Sequence, residues 1–179
     1  LGSDEIMMGH LSELGPIDPQ ITYKLPNGQW VMRPGQSIID SFMQIKKEIE
    51  EAGKMSQAYI PILNNIDIAL LDYCKKASVR SKELAQKLLG TYMLKDNNDK
   101  AKQIAENLAN ANIHLSHARV IDRNEAKDMG LNIKFIEKED DLWKLIWELH
   151  CWTIMALSGS KAVKIFETAT SLLVQGGKR

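Results

Sequence analysis

"DEIMMG", residues Asp4 to Gly9, is a short apolar run behind two acids, and its reading decides the class of fold. Such a run reads as a buried strand. A parallel partner would need a crossover of about a dozen residues, usually a helix. No such segment precedes residue 4, so the expectation is that an upstream part of this fold lies outside the sequence given. Two residues further on comes "SELGPIDPQ", Ser12 to Gln20, with two prolines, a glycine and two carboxylates in nine positions. Pro16 and Pro19 fix φ, and they bias Gly15 and Asp18 toward extended backbone. This segment cannot be helical. It is a rigid acidic loop, and the question is what it holds.

Outward from that loop, "ITYKLPNGQWVMRP" (21–34) sets Asn27-Gly28 between two β-prone runs, a strong hairpin signal. From Ser37 the period changes to helical. Ile38, Phe42, Ile45, Ile49 and Ala52 form one stripe, with Ser37 as N-cap and Gly53 as the stop. A second helical region follows Ser56, with Pro61 in its first turns and Ile66, Ala69, Leu70 and Tyr73 on its apolar side. Further helices are expected over 81–89 and 99–109. In "VIDRNEAKDMGLNIKFIE" (120–137), Asp122 and Glu125 make a capping box and Gly130 ends a short helix. "NIKFI" then reads as a second buried strand. A long helix over 139–157 carries Leu142, Trp143, Ile146, Leu149 and Ile154. Its stripe of Trp143, Trp147 and His150 reads as packing against a neighbour. Trp152 lies about 180° from Trp143 at about 100° per residue, so the tryptophans need two packing partners.

Composition narrows the function classes. The 179 residues fit one domain of ordinary size, taken as 1–179. Lys plus Arg and Asp plus Glu both number 23, so no basic footprint argues for nucleic acid. Cys74 and Cys151 lie far apart and fit no metal spacing or disulfide framework, which favours a reduced, cytoplasmic setting. No apolar run approaches the roughly 18 residues of a membrane span. His114 and His117 stand three apart with no third ligand near, so no metal or other cofactor is expected.

At this point the residues carry a resemblance. "SDEIMMGHLSELGPIDPQI" resembles the signature of the serine dehydrogenase proteinase family, relatives of signal peptide peptidase A within the Clp protease and crotonase superfamily. "HARVIDRNEAKDMGL" is similar to the segment holding a short helix, glycine and final core strand in such proteins. "WELHCWTIMALSGSKAVKIFET" resembles the family's C-terminal region. The resemblance implies an α/β, helix-rich, Clp protease/crotonase-like spiral fold, present here in part. It implies peptide-bond hydrolysis through a serine at the start of a helix immediately ahead of the "DEI" strand. That serine would precede Leu1, so this chain by itself is expected to be inactive.

The same resemblance assigns candidate roles. The loop after the strand, with Ser12, Glu13, Gly15, Pro16 and Asp18, borders the catalytic groove. A shift of about 1 Å in such a groove can cost about a hundredfold in rate, so a stiff backbone there is useful. Glu13 and Asp18 either hydrogen-bond local amides or order the site or a subunit contact. His10 stands where Clp protease subunits carry their histidine in "IMIH", making it a candidate general base; the other reading is a solvated loop histidine. His117 lies near the position of the third triad member, although a histidine cannot orient a base as a carboxylate does. The implied partners are a peptide or protein substrate and further copies in a homo-oligomer. Membrane association would run through an upstream segment, which leaves a cytoplasmic or cytoplasmic-face location. Two other classes stand beside the hydrolase: a non-catalytic assembly subunit of the same fold, and an α-rich protein-interaction module.

Overall fold

A computed structural model describes residues 1–64, 67–109 and 120–176. The chain is mixed α/β with helix dominant, and it divides into two compact units, Leu1–Lys134 and Phe135–Arg179. Strands are short and, among the described residues, lie in three two-stranded sheets.

The first unit starts with β1 (Ile6–Met8), the strand expected from "DEIMMG". Its partner is β4 (Ile133–Phe135), the expected "NIKFI" strand. The Ile6 amide donates to the Asn132 carbonyl at 2.9 Å, and the Asn132 side-chain amide donates to the Asp4 carbonyl at 2.8 Å. Strands β2 (Gln20–Lys24) and β3 (Trp30–Pro34) form the expected hairpin, with Tyr23 opposite Val31. Its turn closes through the Gly28 amide on the Leu25 carbonyl and the Gln29 amide on Asn27 Oδ1.

Helix α1 (Gly35–Ala52) follows β3 directly. It starts two residues before the expected cap: Ser37 lies inside the helix, where its carbonyl accepts the Ser41 hydroxyl. The helix stops as expected at Gly53, which takes the left-handed conformation at φ 65°. Of the expected stripe, Ile38, Phe42, Ile45 and Ile49 are half-buried, whereas Ala52 is exposed.

The middle of the chain corrects two expectations. A 3₁₀ turn (Gln57–Tyr59), capped by the Ser56 hydroxyl, leads into the four-residue helix α2 (Ile60–Leu63), with Pro61 in its first turn. The next helix starts afresh at Asp67, whose Oδ1 accepts the Ala69 amide at 2.9 Å. This helix, α3 (Ile68–Thr91), joins what read as two separate helical pieces. Its buried stripe is Leu71, Cys74, Ala85 and Leu89, so Ala69 and Tyr73 are exposed instead. The expected Ile66 lies outside the described residues.

Helix α4 (Asn98–Leu108) packs on α3, with Asn97 accepting the Lys100 amide at its start. Its residues Ala101, Ile104, Ala105 and Leu108 are buried. With Met8, Leu89, Cys74 and Ile121 they make the core of this unit. Asp122 caps helix α5 (Arg123–Asp128), its Oδ1 accepting the Asn124 and Glu125 amides at 2.7 and 2.9 Å. The helix ends ahead of Gly130, as the capping signals require.

The second unit holds helix α6 (Asp141–Ser158), capped by Asp140, and a hairpin of β5 (Ala162–Glu167) and β6 (Leu172–Gly176). Sequence periodicity does not announce this hairpin. Helix α6 touches β5, and Trp143 stacks on Trp147 with ring centroids 6.0 Å apart. Trp147 in turn meets His150 at 5.5 Å. The expected packing of this helix against a neighbour is incomplete: no residue of α6, β5 or β6 is fully buried. Among the described residues, no helix is long and apolar enough to cross a membrane.

Candidate functional site

The loop 12–19 is bound to four parts of its own unit. A turn comes first, where the Ser12 amide donates to the Gly9 carbonyl at 3.2 Å and Ser12 Oγ accepts the Gly9 amide at 3.0 Å. Leu14 then exchanges both backbone hydrogen bonds with Ile121, at 3.0 and 2.9 Å, as an isolated antiparallel bridge. Three residues on, the Ile17 amide donates to the Leu108 carbonyl at 2.8 Å, satisfying an orphan acceptor in the last turn of α4. The loop finally caps α1. Its Pro19 carbonyl accepts the Gly35 amide at 2.9 Å, and Asp18 Oδ1 accepts the Gln36 amide at 3.4 Å.

Those last two bonds explain why α1 starts at Gly35. Pro34 precedes the helix and offers no side-chain cap. Two amides that a local serine would otherwise satisfy are taken by a loop 16 or more residues upstream, and the carboxylate suits the positive end of the helix. Gly35 is buried, and a Cβ there would come 3.3 Å from the Pro19 carbonyl oxygen, so the close approach favours glycine. Both prolines therefore have a physical use: they set the extended backbone that places Leu14, Ile17 and Asp18 on three different elements.

Asp18 also bears on Cys74. Burial pushes the Cys74 thiol above its ordinary range, and the nearby Asp18 carboxylate adds to that push. A buried thiol held in its neutral form is a core side chain and a poor nucleophile. Both cysteines are free; Cys151 is half-buried on α6.

The remaining expected residues fall as follows. His10 is exposed in the turn after β1, Glu13 and Gly15 are exposed, and Ser12, Pro16 and Asp18 are half-buried. Ser12 and Asp18 thus share one hydrogen-bonded loop, with His10 at its entrance. His114 and His117 lie outside the described residues. Among the described residues, no three His, Cys, Asp or Glu side chains gather as a metal site would require. A separate shallow cavity of about 330 Å³ lies at the C-terminal end of α1, lined by Glu48, Lys54, Ser56 and Tyr59. There the Tyr59 hydroxyl donates to the Glu48 carboxylate, which lowers the carboxyl pKa and raises that of the phenol.

Sequence reasoning missed the anchors Leu108, Ile121, Gly35 and Cys74. For Gly35 a signal exists: a proline followed by glycine, placed before a helical period, leaves amides that something else must cap. The other three are long-range partners, which local spacing does not identify. Comparison of the chain with protein-family models, with curated proteins and with solved structures finds no match.

Proposed function

We propose that the chain is the C-terminal part of a serine peptidase-type hydrolase with a Clp protease/crotonase-like core, as its resemblance to the serine dehydrogenase proteinase family implies. The observation that supports this reading best is the immobilised loop directly after β1. A substrate groove needs a wall that holds its position, and backbone bonds from Leu14, Ile17 and Pro19 tie this segment to three other elements. Strand β1 also has β4 as its one strand neighbour among the described residues. A two-stranded sheet is marginal by itself, which favours further strands beside it. In this reading the nucleophile is a serine upstream of Leu1. His10 is the candidate base that takes its proton, His117 falls near the third triad position without the carboxylate that would orient a base, and residues 12–18 border a groove for a peptide.

The test is labelling with a fluorophosphonate, which reacts with activated serines. The 179-residue chain should show no labelling and no peptidase turnover. The protein carrying its upstream sequence should be labelled at one serine about ten residues ahead of Leu1, and His10→Ala should abolish that labelling. Labelling of Ser3, or of any other serine in this chain, contradicts the reading. So does an unlabelled longer protein. A second reading, a non-catalytic assembly subunit of the same fold, is favoured by the apolar exposure of α6 and the β5–β6 hairpin.

A further inference from the structure

Helix α6 carries a second pattern besides its aromatic stripe. Leu142, Leu145, Leu149, Trp152 and Ala156 recur at alternating intervals of three and four residues. At about 100° per residue they occupy an arc of roughly 80°, the geometry of a coiled-coil seam. All five are exposed: Leu145, Leu149 and Trp152 by 64, 62 and 63 %. Trp143, Cys151 and Leu157, about 100–140° round the helix from the centre of that arc, are half-buried. Within its own unit the seam is therefore an outer face. It contains no charged residue, and Trp152 Nε1 donates to Glu148 Oε1 at 3.4 Å, one turn back on the same helix.

We propose that this seam joins two copies of the chain, paired antiparallel through α6. Side-chain size supplies the first argument. An antiparallel pairing centred between His150 and Cys151 sets Leu145 opposite Ala156 of the partner subunit, and Leu149 opposite Trp152 of the partner subunit. Two-fold symmetry then repeats both contacts. Large side chains meet smaller ones in each layer, as close packing requires. Parallel pairing would instead set Trp152 against its own copy and Ala156 against its own copy, an overfilled layer beside an underfilled one.

Area supplies the second argument. The hairpin residues Val163, Phe166, Leu172, Leu173 and Val174 are each more than half exposed. Phe166 and Leu173 share one face of the hairpin and Leu172 and Val174 the other, so the seam with one hairpin face makes on the order of 700 Å² of exposed apolar surface, against about 800 Å² per partner in a standard interface. The largest apolar patch of a typical monomer is about 300–600 Å². The surface thus exceeds an ordinary monomer patch and approaches the area of a standard interface. This inference is independent of the hydrolase reading, and a labelled or unlabelled serine leaves it unchanged.

Sedimentation equilibrium of the 179-residue chain over the micromolar range should show a reversible dimer. Leu149→Glu should weaken it by on the order of a hundredfold, because two carboxylates would be buried unpaired, and far-UV circular dichroism should be unchanged. Disulfide trapping tests the direction in a Cys151→Ser background. Leu145→Cys with Ala156→Cys in one chain should give a covalent dimer under mild oxidation. Leu145→Cys alone should give none, because the two copies of position 145 would sit about 16 Å apart along the axis. A chain that stays monomeric, whether or not it binds lipid vesicles, overturns the proposal. So does a dimer indifferent to Leu149→Glu, or one trapped by Leu145→Cys alone.

Discussion

The loop 12–19 and helix α6 are opposite solutions to the same requirement. The loop has little apolar surface and no regular structure, yet its backbone is tied to Ile121, Leu108 and Gly35, and the Asp18 side chain to the amide of Gln36. The helix satisfies its own backbone and is rich in large apolar side chains, yet none of its residues is fully buried. A segment can be held without burying much, when hydrogen bonds reach several elements. A segment can also be regular and still lack a partner for its outer face. The first arrangement suits the wall of a site, and the second suits an interface.

The widest separation should appear in stability, between the core that backs the loop in the first unit and the exposed face of α6. Leu89 is fully buried, and Leu89→Ala should cost about 2–5 kcal/mol in urea denaturation through lost transfer energy and a cavity. Leu145→Ala should cost less than about 0.5 kcal/mol at concentrations where the chain is monomeric. Equal costs would erase the contrast.

The next effect concerns the loop. Asp18→Ala removes the cap on the Gln36 amide and should cost about 1 kcal/mol, with the loss of helix signal confined to the first turn of α1. A Ser37→Ala change should be close to neutral, since Ser37 caps nothing. The reverse ranking would restore the local cap that periodicity suggests.

Much of this was legible from local chemistry. Asn27-Gly28, Asp122 with Glu125, and Gly53 each act within a few residues, and each sets an element boundary where expected. "DEIMMG" and "NIKFI" identify themselves as strands because continuous apolar runs of that length suit buried strands. The misreadings have a common physical cause. The start of α1 is set by Asp18 and Pro19, which are distant in sequence, and a weaker local candidate at Ser37 looks sufficient without them. Asp67 hides the start of α3 because a single capping carboxylate resembles any surface acid. The β5–β6 hairpin lacks an Asn-Gly or Asp-Gly turn and is closed instead by Thr168 and Ser171, whose hydroxyl and backbone groups bond one another. For the candidate site, the stiffness of the loop was legible in its prolines, and its anchoring points were not.

A smaller effect follows from Cys74. Because burial and Asp18 raise its pKa in the folded state, folding favours the protonated thiol. That contribution is complete below the unfolded thiol pKa of about 8.5 and is lost as pH rises toward the folded value. The urea midpoint of the native chain should therefore fall more between neutral pH and pH of about 10 than that of Cys74→Ala. Matching slopes would remove the thiol from the balance. A thiol reagent should modify Cys151 well before Cys74 in the folded chain.

Hydrogen exchange measured at several protein concentrations tests the contrast most directly. The amides of Leu14, Ile17, Gly35 and Ile121 should be protected to the same degree at every concentration, since their acceptors lie within one unit of one chain. The amides of α6 should gain protection as concentration rises through the dimer dissociation constant, and Leu149→Glu should abolish that gain. Protection of α6 that ignores concentration, or rapid exchange at Leu14 and Ile17, would contradict the account.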